Sequence, residues 1–595
     1  MRSGSRTLAL STLAVSLLLQ TPTIAQQPLP GTDIRTWATA NISSKLSFIG
    51  TWQPMDTSAQ FIPPFWGLVK LGPEQRDGIA LASWGYLGSF QSTAPDSTPT
   101  RVAILAQQPD GTLADATPQN PTTGGIGSVI AADFNGDGLE DVVFSAHNES
   151  PFVLKPSVAF MSQPDGSLSR IVLPDAVMNH DAQLYRVNGV NKIISSSYGT
   201  VPQGGTVPQA NYLYTWSGSN FTVKKFDEIG AMSTLAGRFS GGLDEWLVVT
   251  DSHSSPDRPY SRTNLILPYA YKFNNQNVVL PAIRLPKPYF NDRPEYAQFV
   301  SHWDPYGKSH TVRARATDLN QDGLLDIVAI STIWSSTGER HQKGVLQELI
   351  NRGNMQFGDD TDALSPGLSK DPLIDYSTQF RDVDGSGIET ILAASSLTTT
   401  TENDALKQGQ FIIVNDGTGR FSAAMHDEFK AMTAQVVAYA RPRLPAGYSA
   451  NSSITPMFIP YRTPEGRINF AAVIKLNGPA LPAMFAFVNV PLGINLTTDF
   501  RQDMVVGTRH GSRRIRTFAG NDTIHRGSVG DPDCAIDGGL GTNVAVYPGP
   551  RAAWSVTRGP NDTVIMRPAQ GAGGVDTLTR IQIARFADSD LDLTQ

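Results

Sequence analysis

Nine residues, Asp133-Phe134-Asn135-Gly136-Asp137-Gly138-Leu139-Glu140-Asp141, return as Asp318-Leu319-Asn320-Gln321-Asp322-Gly323-Leu324-Leu325-Asp326. Side-chain oxygens fall at positions one, three, five and nine, and a glycine stands at six for a sharp turn. A short loop of this kind surrounds a hard cation with carboxylate, amide and backbone carbonyl oxygens, and calcium is the expected ion. A third, weaker copy is Asp382-Val383-Asp384-Gly385-Ser386-Gly387-Ile388-Glu389-Thr390, with Ser386 at position five and Thr390 in place of the closing carboxylate. A fourth segment, Gly237 to Trp246, keeps the rhythm but is one residue short and carries Arg238 where the first acid belongs, so a metal-free hairpin is expected there. Asp, Asn and Gly also build ordinary turns without an ion; recurrence at four matching positions is what favours the metal.

These residues must be held by strands. An EF-hand loop is longer, closes on a glutamate at position twelve and runs into a helix. Here each loop runs at once into a short apolar segment: Val142-Val143-Phe144, Ile327-Val328-Ala329-Ile330 and Ile391-Leu392-Ala393-Ala394. Before the second loop, Val312-Arg313-Ala314-Arg315-Ala316 alternates apolar and charged residues, which predicts a strand with one buried face. The metal would therefore sit at the tip of a hairpin.

The loops and their flanks resemble FG-GAP (VCBS) repeats, the blades of the β-propeller at the head of integrin α subunits and of many secreted bacterial proteins. The Phe-Gly-Gly-Ala-Pro signature of that repeat is absent. The resemblance implies calcium ligands at positions one, three, five and nine and the carbonyl of position seven. These would be Asp133, Asn135, Asp137, Leu139 and Asp141; Asp318, Asn320, Asp322, Leu324 and Asp326; and, in the weaker copy, Asp382, Asp384, Ser386 and Ile388.

Strand-loop-strand openings can be placed at 64–82, 128–144, 182–196, 233–249, 312–330, 377–394 and 434–460, which makes seven candidate blades. Several units close with a turn signal between apolar runs, such as Pro109-Asp110-Gly111, Pro164-Asp165-Gly166, Asn351-Arg352-Gly353 and Asn415-Asp416-Gly417. A blade cannot bury its own faces, so the units are expected to stack radially. The 595 residues, 53 of them Gly and 41 Pro, supply the length and the turns. A surplus within 251–310, with Tyr260, Tyr269, Tyr271, Tyr289, Tyr296, Trp303 and Tyr306, reads either as a sugar-stacking or protein-contact face, or as an elongated outer hairpin whose tyrosines pack on the blade below.

At the amino terminus, Arg2 and Arg6, the apolar stretch Leu8 to Leu19 and Thr23-Ile24-Ala25 form the three parts of a secretory signal, with the mature chain expected from Gln26. No cysteine follows the apolar stretch, against a lipid anchor. The stretch is too short to span a bilayer, and no other segment approaches the roughly 20 residues a membrane helix needs. The formal charge of −7 becomes about −9 without the two arginines. With no clustered basic face, nucleic acid is excluded as the main partner. The single cysteine, Cys534, cannot form an internal disulfide, so calcium is the expected brace outside the cell; a free surface thiol is the other reading of Cys534.

Beyond Asn495 the character changes. Phe518 to Ile524, Asp537 to Asn543 and Gly573 to Ile581 resemble the Gly-Gly-x-Gly-x-Asp turns and strand-rich ending of RTX calcium β-rolls. The copies are degenerate: Asn543 takes the aspartate position, and Gly520, Gly530 and Gly541 are ten and eleven residues apart.

Catalytic motifs are absent: no Gly-x-Ser-x-Gly, no His-Glu-x-x-His, no phosphate loop. His302 and His310, near Asp304 and Lys308, are the one compact polar group. Carboxylates gathered from separate blades would escape a motif search. The expectation is an all-β chain: signal peptide 1–25, a seven-bladed, integrin α-like β-propeller at 26–494, and an RTX-like β domain at 495–595. It is read as a secreted recognition or adhesion module, with cell-surface association left open, for an extracellular glycan or protein. The alternatives are a polysaccharide-active enzyme and a structural surface-layer or matrix component.

Overall fold

A computed structural model describes residues 42–54, 64–86, 100–149, 154–197, 210–225, 231–250, 268–297, 310–334, 341–365, 378–383, 389–393, 411–415, 419, 421–494, 514–516, 523–525, 533–538 and 542–594, apart from short interruptions. The signal segment, Tyr260, His302, Trp303, Asp304, Tyr306 and Lys308 lie outside these.

The chain is mostly strand, in consecutive four-stranded antiparallel meanders. The first sheet comprises Pro64–Leu71, Arg76–Ser83, Ala103–Gln107 and Leu113–Asp115, and the second Ile126–Ala132, Asp141–Ala146, Val158–Ser162 and Leu168–Val172. Four more follow with the same strand order, opening at Asn179–Val187, Thr234–Gly237, His310–Thr317 and Gln379–Arg381. A seventh sheet is built from Met457–Arg462, Ile468–Asn477 and Met484–Ile494, with the short strand Ser449–Ala450. Its outer strand comes from the other end of the chain: Ser47–Trp52 pairs antiparallel with Met484–Ile494, Ser47 opposite Asn489.

Both faces of the middle strands are covered, which explains their unbroken apolar runs. In the second sheet, Val142 and Phe144 join Phe65, Ala80 and Ile104 of the first, while Val143 between them faces Ile193 and Tyr214 of the third. The fifth sheet repeats this, with Ile327 and Ala329 packed toward the fourth and Val328 and Ile330 toward the sixth. One further cluster holds residues of the sixth, seventh and first sheets together, among them Ile412, Tyr461, Phe487, Trp66 and Ile79.

Two expectations are corrected. The seventh strand-loop-strand opening, at 434–460, does not begin on a strand: its first residues end a helix, His426–Ala440, and strands follow only at Ser449–Ala450 and Met457–Arg462. Its buried residues Phe429, Met432, Val436, Val437 and Ala440 form one helical stripe, and Phe429 stacks on Phe458 of the seventh sheet at 4.5 Å between ring centroids. The Arg-bearing strand His310–Thr317 does not have a solvated face: Arg313 is 2 % exposed. Opening strands of neighbouring sheets lie against one another, so the face patterned as polar points into the interior, where Arg315 Nη1 lies 2.9 Å from Asp181 Oδ2 of the third sheet.

The carboxyl-terminal part is built differently. Arg514–Arg516, Cys534–Asp537 and Asp576–Thr579 stack in parallel, as do Thr523–His525, Val544–Val546 and Ile583–Arg585, with antiparallel strands at the margins. The chain therefore contributes alternately to two stacks around a small core of Ile524, Ile536, Trp554, Met566, Leu578 and Phe586. Cys534 is buried in that core, which corrects the surface-thiol reading.

Candidate metal centre

Both full copies of the nine-residue motif join the first and second strands of a sheet: Ala132 pairs with Asp141, and Thr317 with Asp326. An apolar residue at position two anchors each loop. Phe134 and Leu319 are buried, as are Phe239 and Val383 at the matching place in the other two copies.

The loop conformation is written by short-range bonds from backbone amides to the acids. In the first loop, Asp133 accepts from the Gly136 amide at 2.7 Å and the Gly138 amide at 2.9 Å, and Asp137 accepts from the Leu139 amide at 2.8 Å. The second is similar, with one shift: Asp318 accepts from the amides of Asp322, at position five where the first loop uses position four, at 3.0 Å and of Gly323 at 2.9 Å, and Asp322 accepts from Leu324 at 2.9 Å. In each loop the Asn at position three accepts from the amide at five, and its own side-chain amide donates back to that aspartate. Gly138 and Gly323, with φ of 87° and 89°, supply the left-handed turn at position six. Asp137 and Asp322 are exposed at the tips.

The ninth residue occupies a different setting. Asp141 and Asp326 are fully buried. One oxygen of each takes the position-two amide of its own loop, from Phe134 at 3.1 Å and Leu319 at 2.9 Å. The other takes an amide at the end of the third strand, from Ser162 at 2.9 Å and Asn351 at 2.8 Å. Burial pushes the Asp141 carboxyl up to about 7; the Ser162 and Phe134 amides oppose this, and Asp137 and Asp133 add to it by like-charge repulsion. Asp326 rises to about 6 for the same reasons, with Asp322 and Asp318 as the repelling charges.

Among the described residues, no three His, Cys, Asp or Glu side chains gather as a ligand group. The donor chemistry nevertheless fits a hard cation: every side-chain donor is oxygen, three carboxylates repel one another within each loop, and Asp133, Asp137, Asp318 and Asp322 have no ion-pair partner among the described residues. In the weaker copy Asp382 is exposed, and Asp384, Ser386 and Ile388 lie outside the described residues. The Gly237–Trp246 segment is a hairpin tip in which Asp244 pairs with Lys272 at 2.7 Å.

Other candidates resolve toward packing. Tyr289 is buried, donates to Asp362 and carries the Arg293 guanidinium over its ring, and Tyr296 packs on Phe290. Asn543, at the RTX aspartate position, is buried and donates to the carbonyls of Gly538 and Arg580. A motif search could not find the interior cluster of Asp181, Arg313, Arg315, Arg381 and His180, because its members come from separate opening strands.

A family model described as an FG-GAP-like repeat matches residues 90–144, which contain the first loop. No curated protein matches the sequence. Among solved structures, the chain is similar to the periplasmic gluconolactonase of Pseudomonas aeruginosa at 11% identity, over 64% of this chain and 95% of that one, TM-score 0.32. It is similar to a biofilm matrix protein of V. cholerae at 10% identity, over 74% and 91%, TM-score 0.27. A polysaccharide lyase matches at 9% identity, over 73% and 90%, TM-score 0.31. Residues 90–144 thus match the FG-GAP-like repeat, and the successive four-stranded antiparallel sheets are consistent with an all-β propeller.

Proposed function

We propose that this chain is an exported, calcium-braced β-propeller that recognises an extracellular glycan. The observation that carries the calcium-braced part of this reading is the paired hairpin tip: two loops with the same oxygen donors, closely similar backbone turns and the same buried ninth acid, on the second and fifth sheets. The ion would be held by Asp133, Asn135, Asp137, Leu139 and Asp141, and by the matching set Asp318, Asn320, Asp322, Leu324 and Asp326. When bound, it neutralises crowded carboxylates and ties two strands together.

Seven sheets closing into a ring form the scaffold of this reading. Supporting it are the pairing of Ser47–Trp52 with Met484–Ile494 and the core cluster shared by the sixth, seventh and first sheets. Side-chain amides at the ends of third strands agree. Asn351 donates to the Phe239 carbonyl of the fourth sheet, Asn415 to the Leu319 carbonyl of the fifth, and Gln107 of the first to the Arg462 carbonyl of the seventh. The seventh-to-first bond is the one a closed ring requires. Cleavage after Ala25 and a β-roll identity for the last hundred residues belong to the same reading.

Calcium titration by calorimetry tests it, on the wild type and on an Asp133→Asn, Asp318→Asn double variant. Two sites weakened at least about tenfold by the double substitution are expected; heat indistinguishable from buffer in the wild type would refute the metal.

A further inference from the structure

A cleft of about 800 Å³ opens between the first and second sheets, beside the base of the first loop. That is the size of a small-molecule or short-oligomer site, roughly 300–1,000 Å³. One wall is the turn that follows Lys70, with Pro73, Glu74 and Arg76, continued by Gln119 and Asn120 after the fourth strand; the other is the hairpin that follows Ser162, including Arg170.

Residues 140 and 141 of the first loop reach both walls. Glu140 accepts from the Lys70 amide at 2.7 Å, immediately before the first turn. Asp141 accepts from the Ser162 amide at 2.9 Å, immediately before the second, and the Ser162 hydroxyl donates to the Glu140 carbonyl. The same two residues therefore set the distance between the walls.

We propose that this cleft is the glycan site and that the loop Asp133–Asp141 controls its width; the proposal rests on the glycan reading above. Arg170 is held by the Thr122 carbonyl, Gln107 by the Arg462 carbonyl and Arg76 by Glu74, which leaves the exposed side-chain amides of Gln119 and Asn120 to face a ligand. A planar amide suits a hydroxyl-rich one, since it can take two neighbouring hydroxyls. The described lining holds no aromatic and no Met, and its two arginines, the other common interface anchor, are engaged with Glu74 and the Thr122 carbonyl, so a polypeptide partner fits it poorly. It binds without hydrolysing. Its one carboxylate, Glu74, is ion-paired with Arg76, whereas glycoside hydrolysis uses two carboxylates across the scissile bond.

The test uses the full chain in calcium buffer against a panel of neutral and uronate-bearing pentasaccharides, followed by calorimetry on the tightest one. Gln119→Ala with Asn120→Ala is expected to weaken that pentasaccharide about tenfold or more with the melting temperature unchanged. Glu140→Ala, measured well below its melting point, is expected to weaken it at least about fivefold through wall spacing. Affinity within about twofold of wild type in the double variant overturns the cleft and leaves glycan recognition standing. Unchanged affinity in Glu140→Ala overturns the loop's control alone. No binding of any pentasaccharide by the wild type overturns both.

Discussion

Asp141 and Asp326 each satisfy two backbone amides that the sheet leaves without a strand partner, and both amides sit where water does not reach. Losing the acceptor leaves two buried donors unmet, at roughly 1–3 kcal/mol each. Asp141→Ala is therefore expected to destabilise by about 3 kcal/mol in urea unfolding in chelator, where no ion contributes; a loss under about 1 kcal/mol would contradict the clamp. The interior makes a separate demand on pH. Burial holds the His180 imidazole down to about 3, with His147 edge-on at 5.4 Å and Arg313 adding like charge, while Asp181 pulls the other way. A depressed imidazole adds stability above its ordinary 6.5, and that stability drains as pH falls toward 3. Between pH 7 and 5 the wild type should lose about 2 kcal/mol more than His180→Gln. Equal losses would contradict a depressed His180 imidazole.

The hairpin tips show how a loop is specified by type and position rather than by propensity alone. Gly138 and Gly323 have open space where a side chain would stand, so Ala there meets no clash and costs only left-handed backbone, about 1 kcal/mol each. A larger loss in calcium than in chelator, read from paired melts, is expected if the turn also presents ligands. The loops and flanking strands were legible because an Asp/Asn/Gly spacing and an apolar run are local signals. The helix His426–Ala440 was legible too, in Phe429-x-x-Met432-x-x-x-Val436-Val437, but a repeat count extended through it hides the change of period. Asn351 and Asn415 read only as turn residues, since their donation to the preceding sheet depends on neighbours far off in sequence. The same distance hid the first-loop cleft: Glu140 and Lys70 are 70 residues apart.

At the scale of the molecule, strands more than four hundred residues apart meet in one sheet. Ser47–Trp52 closes the seventh sheet, and Trp52 stacks on Phe485 and Phe487 at 5.4 and 6.2 Å. No local pattern announces such a partner, because the strand is short and its mate lies at the far end of the propeller region. Removing residues 26–54 should expose the Met484–Ile494 edge, lower the melting temperature and promote association, read by scattering; an unchanged monomer would speak against a ring. Calcium held at the tips, as proposed, would add to this scaffold as any ligand that favours the folded state does. The most direct measurement is the metal content and melting temperature of the full chain, dialysed against chelator and then returned to millimolar calcium. Two bound ions and a melting temperature higher by several degrees are expected, with both lost in Asp133→Asn, Asp318→Asn. A chain that melts identically in both buffers and retains no metal would contradict the account.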